Sequence, residues 1–207
     1  MNYFLTGTDT GVGKTYVAAL LIRALRKAGL DTVGLKPICC GDRSDAEILH
    51  AAAEGELSLD DVNPVLFRFP AAPYTAAIVE NRLPDLDQIR DRFARIRATR
   101  RSLIVEGVGG WLVPILRNYS VADLAAEMAL PVVVVAANKL GALNHTLLTV
   151  QAIKAHGLPC AGVILNNMAA EPGAATSTNR SVLEHLLEVP VLYEVEMGQA
   201  VLRLSVA

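Results

Sequence analysis

Gly7-Thr8-Asp9-Thr10-Gly11-Val12-Gly13-Lys14-Thr15 lies in the first tenth of the 207-residue chain. Ahead of it, Asn2-Tyr3-Phe4-Leu5-Thr6 is an aromatic and apolar run of strand length. Behind it, Tyr16 to Lys27 is apolar at helical spacing and is closed by Gly29. Strand, glycine-rich turn and helix in this order form a phosphate cradle. Successive backbone N–H groups turn into the loop, and the helix start adds roughly half a positive charge. Lys14 would reach outer phosphates and the Thr15 hydroxyl would ligate magnesium. One detail departs from the general motif: five residues separate Gly7 from Gly13 instead of four, and Thr8 takes the usual glycine place.

The rest of the chain bounds the reading. Its length can bury a sizeable core, and one α/β domain over residues 1–207 is the simplest count. Formal net charge is −2, so nothing in the composition calls for nucleic acid as a partner. The densest charge run, Arg90 to Arg101, reads as a solvated helix face. Mean hydropathy is high at +0.36, yet no apolar run approaches the roughly 18 residues of a membrane span. Buried parallel strands account for it, Pro131 to Ala137 being the most continuous. Three cysteines without metal-ligand spacing, and a start that enters a strand with no cleavage signal, lead us to expect a cytoplasmic protein.

Strand and helix patterns alternate throughout. Strands are predicted at Thr32–Pro37, Ser102–Glu106, Pro131–Ala137, Cys160–Asn166 and Val191–Val195. Helices are predicted at Asp45–Glu54 with Ser44 as N-cap, Asp85–Arg100, Val121–Met128 with a Ser120/Asp123 capping box, His145–His156 and Asn179–Glu188. Leu57 to Pro84, with Pro64, Pro70, Pro73 and Pro84, is the least regular part and is expected to cover a ligand in part. Glu171 to Thr178 reads as a loop. The βα alternation implies a doubly wound, mainly parallel sheet with helices on both faces.

Ligands of such sheets bind beyond the carboxyl ends of the strands, where Lys36, Glu106, Asn138 and Asn166 stand. A charge at the end of a buried strand is costly unless paired, and bound phosphate and magnesium would supply the partners. Glu106, after Leu103-Ile104-Val105 and before glycines at 107, 109 and 110, reads as a magnesium ligand. Asp45 reads either as a further ligand or as a helix-start residue favoured by the dipole. Lys36 reads either as a second lysine on the transferring phosphoryl group or as an exposed strand-end lysine. Gly141 to Asn144 is a candidate carboxylate site or an ordinary helix cap. Trp111 reads as core or as a dimer contact, and Cys39 and Cys40 as small fillers behind the loop.

The phosphate loop, Lys36-Pro37, Glu106-Gly107-Val108-Gly109-Gly110-Trp111 and Lys139-Leu140-Gly141-Ala142-Leu143-Asn144-His145 together resemble dethiobiotin synthetase, in order from residue 2 to about Asn167. The resemblance implies a phosphate-loop fold and an ATP- and magnesium-dependent cyclo-ligase of biotin synthesis, acting on 7,8-diaminononanoate and carbon dioxide through a phosphorylated carbamate. It implies that Gly11, Val12, Gly13, Lys14, Thr15 and Tyr16 hold ATP, together with Asp45, Glu106, Gly107, Val108, Gly109, Asn166 and Asn167. Asn166 would meet adenine, and Thr15, Asp45 and Glu106 would serve magnesium. Lys36, Lys14 and Thr10 would be catalytic. Thr10, Cys40 and the backbone of Gly141, Ala142, Leu143 and Asn144 would meet the substrate, the last four across a homodimer interface. Three departures are visible. Cys40 stands where the family often has serine, and Tyr193-Glu194-Val195-Glu196 lacks an isoleucine-proline pair. The given chain also reaches Ala207 without the usual C-terminal helix. Base specificity looser than in better-matched members is expected from these. Another reading of the same loop is a doubly wound ATPase switch with a membrane or protein partner. Such switches carry an early second lysine where this chain has Thr8-Asp9-Thr10. A third reading is a nucleotide-binding paralogue without chemistry.

Overall fold

The structure, a computed structural model, describes residues 1–99, 102–168 and 173–202. In chain order it runs β1 (Asn2–Gly7), α1 (Lys14–Lys27), β2 (Thr32–Leu35), β3 (Ile38–Cys40), α2 (Ser44–Ala52), α3 (Leu59–Val62), β4 (Val65–Phe67), α4 (Pro73–Val79) and α5 (Leu86–Thr99). It continues with β5 (Ser102–Gly110), β6 (Pro114–Leu116), β7 (Tyr119–Ser120), α6 (Val121–Met128), β8 (Val132–Ala137), α7 (Ala142–Ala155), β9 (Cys160–Asn166), α8 (Ala174–Leu186) and β10 (Val191–Val195).

Six strands form one sheet in the order β10-β9-β8-β1-β5-β2, and every pairing in it is parallel. The chain therefore winds out from β1 in both directions, through β5 and β2 on one side and through β8, β9 and β10 on the other. This is the expected doubly wound arrangement, and the crevice lies at the carboxyl end of β1, between β5 and β8. Continuous apolar runs make the central strands: all six residues of β8 are buried, and Phe4, Leu5, Ile104, Val105 and Val134 are fully enclosed. Burial on both faces of the sheet accounts for the high hydropathy. Among the described residues no helix is long and apolar enough to cross a membrane.

Several boundaries differ from expectation for local reasons. The second strand stops at Leu35 because the chain leaves the sheet at Lys36-Pro37, where Lys36 N–H bonds the carbonyl of Val62 and Pro37 has no donor. β5 continues four residues past Glu106, to Gly110, and pairs Gly7 with Gly110 across a register shift. Ser44 lies inside α2; Arg43 occupies the cap position, and Asp42 Oδ1 accepts from the Ser44 N–H and hydroxyl. α7 begins at Ala142, three residues early, because Gly141 in the left-handed region starts it. α8 begins at Ala174, so the expected loop is helical from there, and residues 169–172 lie outside the described set, as does Arg100. The irregular stretch 57–84 contains α3, β4 and α4, with β4 paired in parallel to β3. The Ser120/Asp123 capping box is present in both directions. The arginine face of α5 is not simply solvated. Arg90 pairs with Glu127 and Asp87, Arg92 and Arg95 share Asp61, and Arg97 lies over Phe93 and bonds the Met128 carbonyl.

Candidate active site

The phosphate loop is built on two glycines that no other residue would replace. Gly13, at φ 84° and ψ 30°, caps α1 in the left-handed region. A Cβ on it would stand 2.1 Å from Asn166 Nδ2, which donates to the Val12 carbonyl at 2.9 Å. A Cβ on Gly7 would meet the Asp9 carbonyl at 2.6 Å and Lys14 Nζ at 2.9 Å. The loop with its additional residue therefore curls back over Gly7, and Lys14 Nζ donates to the Asp9 carbonyl at 3.1 Å. Thr10 N–H closes the tip by bonding Asp9 Oδ1 at 2.7 Å.

Strand register sets the charged centre. β2 and β5 pair Leu35 with Val105, so the next residues, Lys36 and Glu106, fall side by side. Lys36 Nζ lies 2.6 Å from Glu106 Oε1 and 2.8 Å from Asp45 Oδ2. The Thr15 hydroxyl lies 2.7 Å from Asp45 Oδ1 and 2.9 Å from Glu106 Oε1. Lys36, Lys14 and Glu106 are buried, at 2 %, 6 % and 1 % exposure; Lys36 is not the exposed strand-end lysine that its position alone allowed. Burial, with the Lys36 charge added, lowers the Lys14 ammonium to about 8. Burial also acts to lower Lys36, but the Glu106 and Asp45 carboxylates outweigh it and hold its pKa above the usual lysine range. Burial raises Glu106 against the opposing Lys36 charge. Burial acts to raise Asp45 too, but Lys36 and the Thr15 hydroxyl keep it below the usual range.

These groups face a cleft of about 680 Å³. Thr10, Gly11, Gly13, Lys14, Thr15, Tyr16, Lys36, Cys40, Asp45, Glu106, Val108 and Gly109 line it. Pro70, Ala71 and Ala72 form another part of its wall, so the irregular stretch does cover the site. Among the described residues no three His, Cys, Asp or Glu side chains gather as a metal cage. The oxygens of Thr15, Asp45 and Glu106 do converge, and Glu106 Oε2 is buried with no hydrogen-bond partner. That donor set fits a hard cation such as magnesium, which characteristically takes one or two carboxylates and completes its shell with phosphate and water.

The remaining predicted residues lie elsewhere. Asn166 ends β9, and Asn167 follows it, on the other side of the loop. Asn167 Nδ2 donates to Glu194 and Glu196, and the Tyr16 hydroxyl donates to the carbonyls of Gln199 and Glu196. Gly141 to Asn144 begin α7, outside the cleft of this chain. Trp111 is buried and meets His156 edge to face. Two contributors escape the motif reading. Asn63, fully buried, donates to the carbonyls of Lys36 and Val65 and so fixes the backbone that carries Lys36. Asn179 donates to Asn138 Oδ1 and the Lys139 carbonyl, and Asn138 Nδ2 in turn meets Asn167 Oδ1 and Glu194 Oε1. Only an asparagine in an otherwise apolar setting, such as Val62-Asn63-Pro64-Val65, could have signalled the first.

The AAA domain family matches residues 1–203. An ATP-dependent dethiobiotin synthetase BioD of Akkermansia muciniphila is 46% identical over 198 residues, covering 96% of this chain and 93% of its own length. The chain belongs to the dethiobiotin synthetase family. The BioD of Anaeromyxobacter dehalogenans (strain 2CP-C) is 44% identical over 187 residues, 88% of this chain and 84% of the relative. That of Bacillus licheniformis is 38% identical over 196 residues, 92% and 83% respectively. Among solved structures, the septum site-determining protein MinD of Pyrococcus horikoshii, complexed with Mg-ADP, aligns at TM-score 0.56 and 18% identity over 95% of this chain and 82% of that one. The cell division protein FtsY of Thermotoga maritima aligns at TM-score 0.54 and 16% identity over 94% and 61%. These two likenesses carry the phosphate-loop fold; the synthetase family itself is carried by sequence.

Proposed function

We propose that this chain, working as one domain, is an ATP-dependent ring-closing ligase that makes dethiobiotin from 7,8-diaminononanoate and carbon dioxide in biotin synthesis. The observation that carries this reading is the convergence of Lys14, Lys36, Thr15, Asp45 and Glu106 on one cleft, in a member of the synthetase family. One amine of the substrate adds to carbon dioxide, loses a proton and becomes a carbamate. A carbamate oxygen takes the γ-phosphoryl group and ADP leaves. The second amine then attacks the carbamoyl carbon, phosphate departs and the ring closes with loss of a further proton.

The residues have distinct tasks in this reading. The N–H groups of Gly11 to Thr15 hold the phosphates, and Lys14 sits over the outer ones. Lys36 stabilises charge that builds between carbamate and phosphoryl group. Thr10, at the loop tip and on the cleft edge, lies where the carbamate would approach. Thr15, Asp45 and Glu106 would hold magnesium, which when bound neutralises phosphate charge. Val108 and Gly109, on the cleft wall, would face the nucleotide, with Gly107 beside them on β5. Asn166 commits its amide N–H to Val12, which leaves Oδ1 to accept from the adenine amino group, with Asn167 beside it. Cys40, half-buried in the cleft, would contact the diamine.

The start of α7 supports a substrate-carboxylate site shared across a homodimer. It lies outside this chain's own cleft, while Leu140, just before α7 and at 87 % exposure, and Leu148, on α7, expose apolar side chains. The cytoplasm is the compartment where such a thiol-containing enzyme would work.

Purified protein supplied with ATP, magnesium, bicarbonate and diaminononanoate should release phosphate and form dethiobiotin, with neither product when the diamine is omitted. Phosphate release that ignores the diamine would favour a nucleotide-driven switch. Lys36→Ala should lose turnover while still binding ADP; a fully active Lys36→Ala protein would remove Lys36 from the reaction.

A further inference from the structure

Asp45 and Glu106, two of the residues that would hold magnesium, also pair with the Lys36 ammonium, and Thr15, the third, bonds both carboxylates. Lys36 Nζ is bonded to one oxygen of each carboxylate, at 2.6 Å and 2.8 Å, and the Gly107 carbonyl lies 3.4 Å away. The Thr15 hydroxyl contacts the same Glu106 oxygen that Lys36 uses and the other oxygen of Asp45. An ammonium at this point and a magnesium ion, which needs oxygens at about 2.0–2.1 Å, would claim the same space and the same ligands.

The backbone around Lys36 is fixed, but its side chain has a route out. Lys36 N–H bonds the Val62 carbonyl at 2.8 Å, Asn63 Nδ2 holds the Lys36 carbonyl at 2.8 Å, and Pro37 follows. The four-carbon stem is flexible, and Lys36 lines the cleft that also holds the loop. Charge balance gives a reason for the arrangement. A carboxylate as buried as Glu106 is strongly destabilising when left without a partner, so some cation must accompany it at every stage.

We propose that Lys36 is a resident cation that holds Asp45 and Glu106 together, and that it cedes both carboxylates when a divalent cation binds, its ammonium moving to the phosphate side of the cleft. Delivery of the lysine to the transferring phosphoryl group is then conditional on metal binding, so the ammonium does not reach a nucleotide that arrives without metal. The proposal rests on the reading of Asp45 and Glu106 as cation ligands, and its test is separate from ring formation.

Manganese binding to nucleotide-free protein, followed by the electron paramagnetic resonance signal of free manganese, reads the competition directly. Removing the competing ammonium in Lys36→Met should tighten manganese binding by about tenfold or more, since the carboxylate pair is then left uncompensated. Asp45→Asn in the Lys36→Met background should abolish that gain. Thermal melts should show manganese stabilising Lys36→Met more than the unaltered protein, because a ligand that binds the folded state stabilises it. Equal or weaker manganese binding by folded Lys36→Met would overturn the proposal. No manganese binding by either protein would overturn both the proposal and the metal-ligand reading, leaving the ring-closure assay to stand alone. If Lys36→Met does not fold even with manganese, the unaltered protein decides. With nitrogen-15-labelled lysine, the Lys36 ammonium resonance should shift when magnesium and ADP are added, and an unchanged resonance would contradict the displacement.

Discussion

Gly13 meets two demands at once, a left-handed backbone and room for the Asn166 amide against the Val12 carbonyl. A methyl group there must displace Asn166 as well as strain the turn. Gly13→Ala is therefore expected to lose nucleotide binding, measured by calorimetric titration with ADP, while the rest of the fold keeps its circular dichroism spectrum; normal ADP affinity would contradict this account of the loop. Cys40 gives a pH-dependent test. Burial, with the Glu80 charge adding to it, pushes its thiol up to about 11 from 9.0. Only the thiolate reacts. Near pH 8 the Cys40 thiolate is therefore about a hundredfold scarcer than that of an ordinary thiol, and alkylation should be slower by a similar factor. The rate should climb with pH until about 11. Peptide mapping after timed alkylation reads it, and fast labelling at neutral pH would contradict the burial. At this scale the sequence marked Lys14, Thr15, Lys36, Asp45 and Glu106, which the structure brings to one cleft, because a charge at the end of a buried strand needs a partner. It did not reveal Asn63, whose role depends on which carbonyls the chain brings to it.

Among the elements, the asparagine relay from α8 through β8 to β9 is the feature with most at stake. Asn179 is buried and supplies donors to Asn138 Oδ1 and the Lys139 carbonyl. Asn179→Ala leaves both acceptors unpaired, at a cost of roughly 1–3 kcal/mol. In a domain of this size that corresponds to a fall of about 2–4 °C in Tm per kcal/mol, visible by calorimetry; an unchanged Tm would remove the relay from the stability account. Element types were legible where the apolar period was long, as in α1, α5 and the strands of the sheet. Their ends were less so, because cap geometry decides them. Gly141 in the left-handed region brings α7 forward to Ala142, and Asp42, not Ser44, serves the start of α2. The short β3–β4 and β6–β7 pairs were not legible, since strands of two or three residues have no period to read.

For the whole molecule, β1 lies between strands that come much later in the chain, and this places the loop at the point where the sheet winds both ways. The strand and helix order implied such a sheet, but which strands flank β1 is a matter of packing, on which sequence pattern is silent. The same holds for the two ends of the proposed site. The residues proposed to hold metal and phosphate meet in one cleft, whereas Gly141 to Asn144 stand apart from it, as a substrate site shared between two copies would require. Leu140→Glu, at an 87 % exposed position, should therefore yield a monomer by sedimentation velocity and raise the KM for diamine with little change for ATP; a dimer with an unchanged KM would contradict the shared site. Ring closure is followed with carbon-13 bicarbonate. With ATP, magnesium and diaminononanoate present, mass spectrometry should find dethiobiotin one mass unit heavier, with one phosphate released per ring. An absent or unlabelled ring, or phosphate release without the diamine, would contradict it.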